Sequence, residues 1–89
     1  MSNLEKDIER KCSLWAIDHG WLVYKFVSPA NRGVPDKIFL KKGRTVFVEF
    51  KRPGGKLSPL QIHQIKKLKS QAFTVLVIDS VEEFINAFL

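Results

Sequence analysis

Eighty-nine residues and 10.2 kDa allow one small domain, and 45% hydrophobic against 27% charged residues is the balance of a folded chain, not a disordered tail. Cys12 is the single cysteine, which excludes an intramolecular disulfide and a multi-cysteine zinc site. No apolar run approaches the roughly 20 residues that span a bilayer, and the charged start MSNLEKDIERK has no signal-peptide core, so the expectation is a reducing cytoplasm with no membrane partner.

Leu4, Ile8, Cys12 and Trp15 recur at helical spacing and predict a helix over about 3–19. Ser2 and Glu5 have the form of a capping box at its start, and Gly20 suits its stop. Residues 21–27, WLVYKFV, are rich in aromatic and β-branched side chains and predict a strand, with Trp21, Tyr24 and Phe26 expected in the core. SPANRGVP is a loop, and Pro35 biases Val34 toward extended geometry, feeding a second strand over 36–40. Lys41-Lys42-Gly43-Arg44 reads as a tight turn, so 45–51 returns as the third strand of a hairpin. After the loop RPGGKLS, Ser58 as N-cap and Pro59 at the first helical position open a second helix to about Ser70. Its Leu60, Ile65 and Leu68 are expected inward, with Lys66, Lys67 and Lys69 mostly outward. Residues 73–79, FTVLVID, are nearly all apolar, as expected of a strand covered on both faces. A capping box at Ser80 and Glu83 starts a short final helix through Phe88. The order αβββαβα favours an α/β fold with a mixed sheet flanked by helices.

Charge is unevenly spread. Fifteen basic against nine acidic residues give +6, yet the segment 21–69 carries twelve bases and only two acids, Asp36 and Glu49. A basic middle of this kind suggests a polyanion such as nucleic acid, because cations at phosphates release counterions. A face meant only for phosphate gains nothing from two carboxylates unless something cationic sits between them. Glu49 and Lys51 are two apart in a strand and share a face. A hairpin about Lys42-Gly43 brings Asp36 to the same end of the sheet as Glu49. Two converging carboxylates repel, and each has a raised pKa if unpaired. A hard divalent cation with oxygen ligands resolves the repulsion. Lys51 can orient a water or stabilise developing phosphorane charge. A plain salt bridge between Glu49 and a lysine is the competing reading.

Val34-Pro35-Asp36, followed by Glu49-Phe50-Lys51, resembles the PD-(D/E)xK nuclease signature. The fuller pattern is Lys25-Phe26, Arg32 to Asp36, Phe47 to Gly54 and Leu57 to Gln61. It is similar to the VRR-NUC (virus-type replication-repair nuclease) family, and most like its short standalone bacteriophage members. The likeness runs from Glu5 to about Phe84. It implies a restriction-endonuclease-like fold and Mg²⁺- or Mn²⁺-dependent hydrolysis of DNA phosphodiesters, in the host cytoplasm if the chain is phage-encoded. Asp36 and Glu49 would be metal ligands with the Phe50 carbonyl a third, Lys51 would position or help activate the attacking water, and Gln61 would accompany the site. The family's first helix also contributes a glutamate. Glu5 and Glu9 both qualify, and Glu9 is preferred because Glu5 can serve the capping box. Gln61 is likewise placed to cap its own helix.

Lys25, Arg32, Arg52, Lys56 and Lys66 are the candidates for phosphate contact, with Arg32 and the loop 52–56 flanking the site. His19 and His63 lack a ligand partner at metal spacing and read as surface residues, and Cys12 reads as packing. The leading expectation is a structure-selective DNA endonuclease, acting on four-way junctions as a homodimer. Two symmetric cuts need two sites, and ten aromatic residues among 89 exceed what one thin core readily hides. The alternative is a non-catalytic nucleic-acid-binding module that keeps the nuclease fold. A sequence-specific restriction-type enzyme ranks last, since the chain leaves little surface for a recognition element.

Overall fold

A computed structural model of the protein describes residues 4–89. Ser2, and with it the capping box expected at the first helix, lies outside the described residues. The elements are α1 (Leu4–Asp18), β1 (Leu22–Lys25), β2 (Lys37–Lys41), β3 (Arg44–Phe50), α2 (Pro59–Ser70), β4 (Thr74–Ile78) and α3 (Val81–Phe88). The expected αβββαβα order is the observed one.

The four strands form one sheet in the order β1-β2-β3-β4. The first three are antiparallel, and β4 runs parallel to β3 after the α2 crossover. Successive strand side chains face opposite sides, so the sheet sorts its residues by parity. Phe39, Val48, Phe50 and Ile78 point to the side covered by α1 and α3, where Phe84 is fully buried and stacks on Phe88 with ring centroids 4.0 Å apart. Phe47 and Val75 point to the other side, under Ile65 of α2. Glu49 shares parity with Phe47, which places a carboxylate on the α2 side of a central strand. Two hydrogen bonds close the C-terminus of α1, Trp21 N–H to Ala16 O at 3.0 Å and Gly20 N–H to Ile17 O at 3.1 Å. This 6→1, 5→2 pair turns the chain directly into β1.

Four packing expectations fail, each for a tertiary reason. Leu4 is 56% exposed, because the core contacts of α1 begin one turn later at Ile8. Leu60 is 48% exposed: the cluster under α2 is made by Ile65 and Leu68, leaving the first turn outside it. Tyr24 lies on edge strand β1 beyond the reach of α2, so it faces solvent while Trp21 and Phe26 pack inward. β4 is an edge strand and only partly sandwiched, with Val75 and Ile78 buried but Thr74 and Val77 exposed. Cys12 is fully buried, and burial pushes its thiol up to about 12. Both histidines are exposed, and His19 stacks on Trp15. Among the described residues no helix is long and apolar enough to cross a membrane.

Candidate active site

The hairpin register places the first two carboxylates. Lys37 pairs with Val48, so Asp36 arrives beside Glu49 just where the β2–β3 ladder ends. At that point the Phe50 N–H donates to Asp36 Oδ2 at 2.8 Å, and the side chain continues the sheet where the strand partner stops. Asp36 O in turn accepts the Phe26 N–H at 2.8 Å, anchoring it to the chain leaving β1. Buried Pro35 precedes it. Asp36 is therefore held by backbone on both sides.

Glu49 is 3% exposed. Gln61 Nε2 donates to its Oε2 at 3.1 Å, and Lys51 Nζ lies 3.7 Å from the same oxygen. Burial pushes the Glu49 carboxyl up to about 7, with the Asp36 charge adding to the rise and Lys51 opposing it. Asp36 is also raised, first by burial, while the Phe50 N–H pulls the other way. Two carboxyls forced together and short of counter-charge are the donor set a hard divalent cation suits. Among the described residues no group of three or more His, Cys, Asp or Glu side chains sits at metal-holding spacing, so this pair and nearby backbone oxygens are the fitting donors.

Gln61 does two jobs at once. Its Oε1 accepts the Ser58 N–H at 2.9 Å while its own N–H donates to Ser58 Oγ at 3.2 Å, completing the capping box of α2. The remaining amide nitrogen is thereby turned toward Glu49. The capping motif is thus also what aims the side chain into the site.

Both first-helix acids face this end of the sheet: the Glu9 charge acts on Asp36 and the Glu5 charge on Glu49. Glu9 is the more firmly placed, with Lys37 Nζ 3.9 Å from its Oε1. The same Nζ donates to Ser13 Oγ at 3.0 Å, tying β2 to α1. Lys37 was not among the sequence candidates. A lysine next to Asp36 on an alternating strand reads as a solvent-facing residue, and only the position of α1 gives it partners. The Phe50 side chain is in the core, and its backbone joins Glu49 to Lys51 at the end of β3. Lys25 shares a cleft of about 450 Å³ with Glu9 and Lys37. Arg32, Arg52, Lys56 and Lys66 are exposed, on the two loops and on α2.

With this geometry in view, residues 22–82 match the family model for the VRR-NUC domain. The chain belongs to the VRR-NUC domain family. The match includes Asp36, Glu49, Lys51 and Gln61 and starts after α1, where Glu5 and Glu9 lie. This VRR-NUC chain is 45% identical over 62 residues to "Putative nuclease p44" of Acyrthosiphon pisum secondary endosymbiont phage 1, a match covering 68% of this chain and 67% of that one. A solved structure of a VRR-NUC domain superposes with a TM-score of 0.89 over 98% of this chain and 96% of its own, at 22% identity. That likeness establishes the restriction-endonuclease-like fold. The family makes the chain a nuclease domain.

Proposed function

We propose that this VRR-NUC domain is a Mg²⁺- or Mn²⁺-dependent DNA endonuclease, selective for branched DNA and above all four-way junctions, acting as a homodimer in the cytoplasm. The observation that carries the catalytic part is Glu49, a nearly inaccessible carboxylate beside Asp36 that is met by Lys51 and Gln61 on one oxygen.

Asp36 and Glu49, with the Phe50 carbonyl, would hold the divalent ion. The bound ion supplies Lewis acidity at the phosphate and a water of lowered pKa. Gln61 holds Glu49 by its Oε2. Lys51 brings a positive charge within reach of an attacking water and of charge growing on the phosphate oxygens. The Phe50 N–H fixes the Asp36 carboxylate, so neither acid needs to reorganise when DNA arrives. Lys37 restrains Glu9 at the edge of the pair.

Six of the ten aromatic residues are buried within the single chain, so the core hides more than expected. Tyr24 at 54% and Val27 at 64% exposure are instead apolar side chains left open on and just after edge strand β1, where a second copy would cover them. Two sites per dimer suit the paired cuts that resolve a junction. The test is cleavage of four-way junction, flap and linear duplex DNA with and without Mg²⁺ or Mn²⁺, beside light scattering at micromolar protein. Metal-dependent cutting with junctions preferred, by a species of about 20 kDa, is expected. No cutting with either metal refutes the endonuclease, equal cutting of linear duplex refutes the selectivity, and a monomer that stays monomeric on junction DNA refutes the dimer.

A further inference from the structure

The opposite end of the sheet carries a second basic feature. Between the turn from α1 into β1 and the tip of the β2–β3 hairpin lies a cleft of about 640 Å³. Its wall includes Lys41, Lys42 and Arg44, and none of its lining residues is acidic. Two of these cations are fixed in place: Lys41 Nζ donates to His19 O at 2.7 Å, and the Arg44 guanidinium lies 5.1 Å from the Trp21 ring. Pre-ordered cations lose less freedom when an anion binds.

Lys42 makes the hairpin tip unusual. Its φ of 47° is left-handed, followed by Gly43 at 81°, so this two-residue turn demands a conformation that Gly, Asn or Asp adopts most cheaply. A lysine there costs backbone energy, and among the described residues its side chain makes no hydrogen bond or ion pair that would offset it; what it adds is a charge at the apex. Strain tolerated at a surface apex points to binding.

We propose that this cleft is a second nucleic-acid site, gripping the phosphate backbone of a DNA arm beyond the point of cutting. It rests on the nuclease reading above. From Asp36 to Lys41 is five strand residues, about 17 Å at 3.3 Å each, or about five nucleotides of duplex at 3.4 Å per step. The hairpin thus acts as a ruler, with carboxylates at one end and phosphate-binding cations at the other. Contacts of this kind position an arm and carry no sequence preference.

The test uses Lys42→Gly, which suits the left-handed backbone and removes the charge. Binding of a labelled duplex of about 24 base pairs is measured by fluorescence anisotropy in EDTA across a range of NaCl concentrations, with thermal melting alongside. The expected result is unchanged or raised thermal stability, affinity about 5- to 10-fold weaker near 0.1 M salt, and a log–log salt slope shallower by about 0.9. Adding Arg44→Gln should lower the slope by about as much again, while Lys42→Arg restores wild-type binding. Exposed Lys11 on α1, outside the basic segment 21–69, is the control. Lys42→Gly with wild-type affinity and slope, or an equal loss in Lys11→Ala, overturns the proposal. The same proteins are then given Mg²⁺ or Mn²⁺. A chain that shows the slope change but never cuts keeps the cleft and overturns the nuclease reading. One that cuts while Lys42→Gly binds normally overturns the cleft alone.

Discussion

Gly33 holds the loop after β1 against the helix that presents Gln61, and replacing it with alanine should damage both stability and the site. Its φ is +90°, so any Cβ there incurs the left-handed penalty of about 1–2 kcal/mol. The added carbon would also lie 2.7 Å from Leu60 C and O and 3.0 Å from Gln61 N. These are backbone atoms of the first turn of α2 and cannot swing aside, so overpacking adds about 1–3 kcal/mol. Gly54 provides the control, with φ of +78° and nothing within 4 Å of its would-be Cβ. Gly54→Ala should therefore show the backbone penalty alone. The chain as a whole has about 4–13 kcal/mol to lose, and each kcal/mol moves the Tm of a domain this size by about 4–8 °C. Gly33→Ala should melt about 5–20 °C below Gly54→Ala in a calorimetric or circular dichroism scan. Its first turn of α2 must move, drawing Gln61 Nε2 away from Glu49, so cleavage per folded molecule should fall as well. Equal melting temperatures for the two variants would refute the close packing of loop on helix.

The remaining predictions concern the carboxylates and their supports. Glu49 is raised from 4.5 to about 7, so in EDTA its ionisation destabilises the fold; the folded state binds the extra proton between those values, and stability attributable to this group falls as pH rises through about 7. Glu49→Gln should accordingly be the more stable protein at pH 8 in EDTA, with its advantage vanishing near pH 4.5; denaturant titrations at the two pH values check it, and a constant gap would contradict the burial of Glu49. Ser58→Ala and Gln61→Ala both break the capping box and should each cost about 1 kcal/mol, but Gln61→Ala also strips Glu49 of its donor. Single-turnover cleavage should drop clearly for Gln61→Ala and little for Ser58→Ala, and equal rates would reduce Gln61 to a helix cap. Glu9→Gln should slow cleavage more than Glu5→Gln, because Lys37, itself held by Ser13, pairs with Glu9 beside the site; the reverse order moves the first-helix role to Glu5.

The carboxylate pair was legible because its geometry depends on local rules. A two-residue turn at Lys42-Gly43 sets the register, register puts Asp36 next to Glu49, and strand parity puts Lys51 on the Glu49 side. The second helix was equally plain from Ser58, Pro59 and Gln61, whose capping pattern became a functional contact once α2 lay over β3. What depended on how layers slide against one another was not legible. Leu60 and Tyr24 are apolar residues in good elements, and only the offset of α2 leaves them in solvent. Val77, beside Glu49 on edge strand β4, is open as well. Lys37 is the clearest case on the polar side, since nothing in DKIFLK says that its partners are Ser13 and Glu9, residues more than twenty positions upstream.

We propose Asp36 and Glu49 as a metal-dependent catalytic pair rather than a structural one. Asp36→Asn keeps the shape and an acceptor for the Phe50 N–H while removing the charge that would hold the ion. The direct measurement is cleavage of a labelled four-way junction in Mg²⁺ or Mn²⁺ by wild type and Asp36→Asn, each first shown to be folded and to bind the junction in EDTA. Cutting by the wild type, with Asp36→Asn binding at least as tightly yet not cutting, is the predicted result. Cutting by Asp36→Asn at near wild-type rate, or no metal-dependent cutting by the folded, DNA-bound wild type, would contradict it.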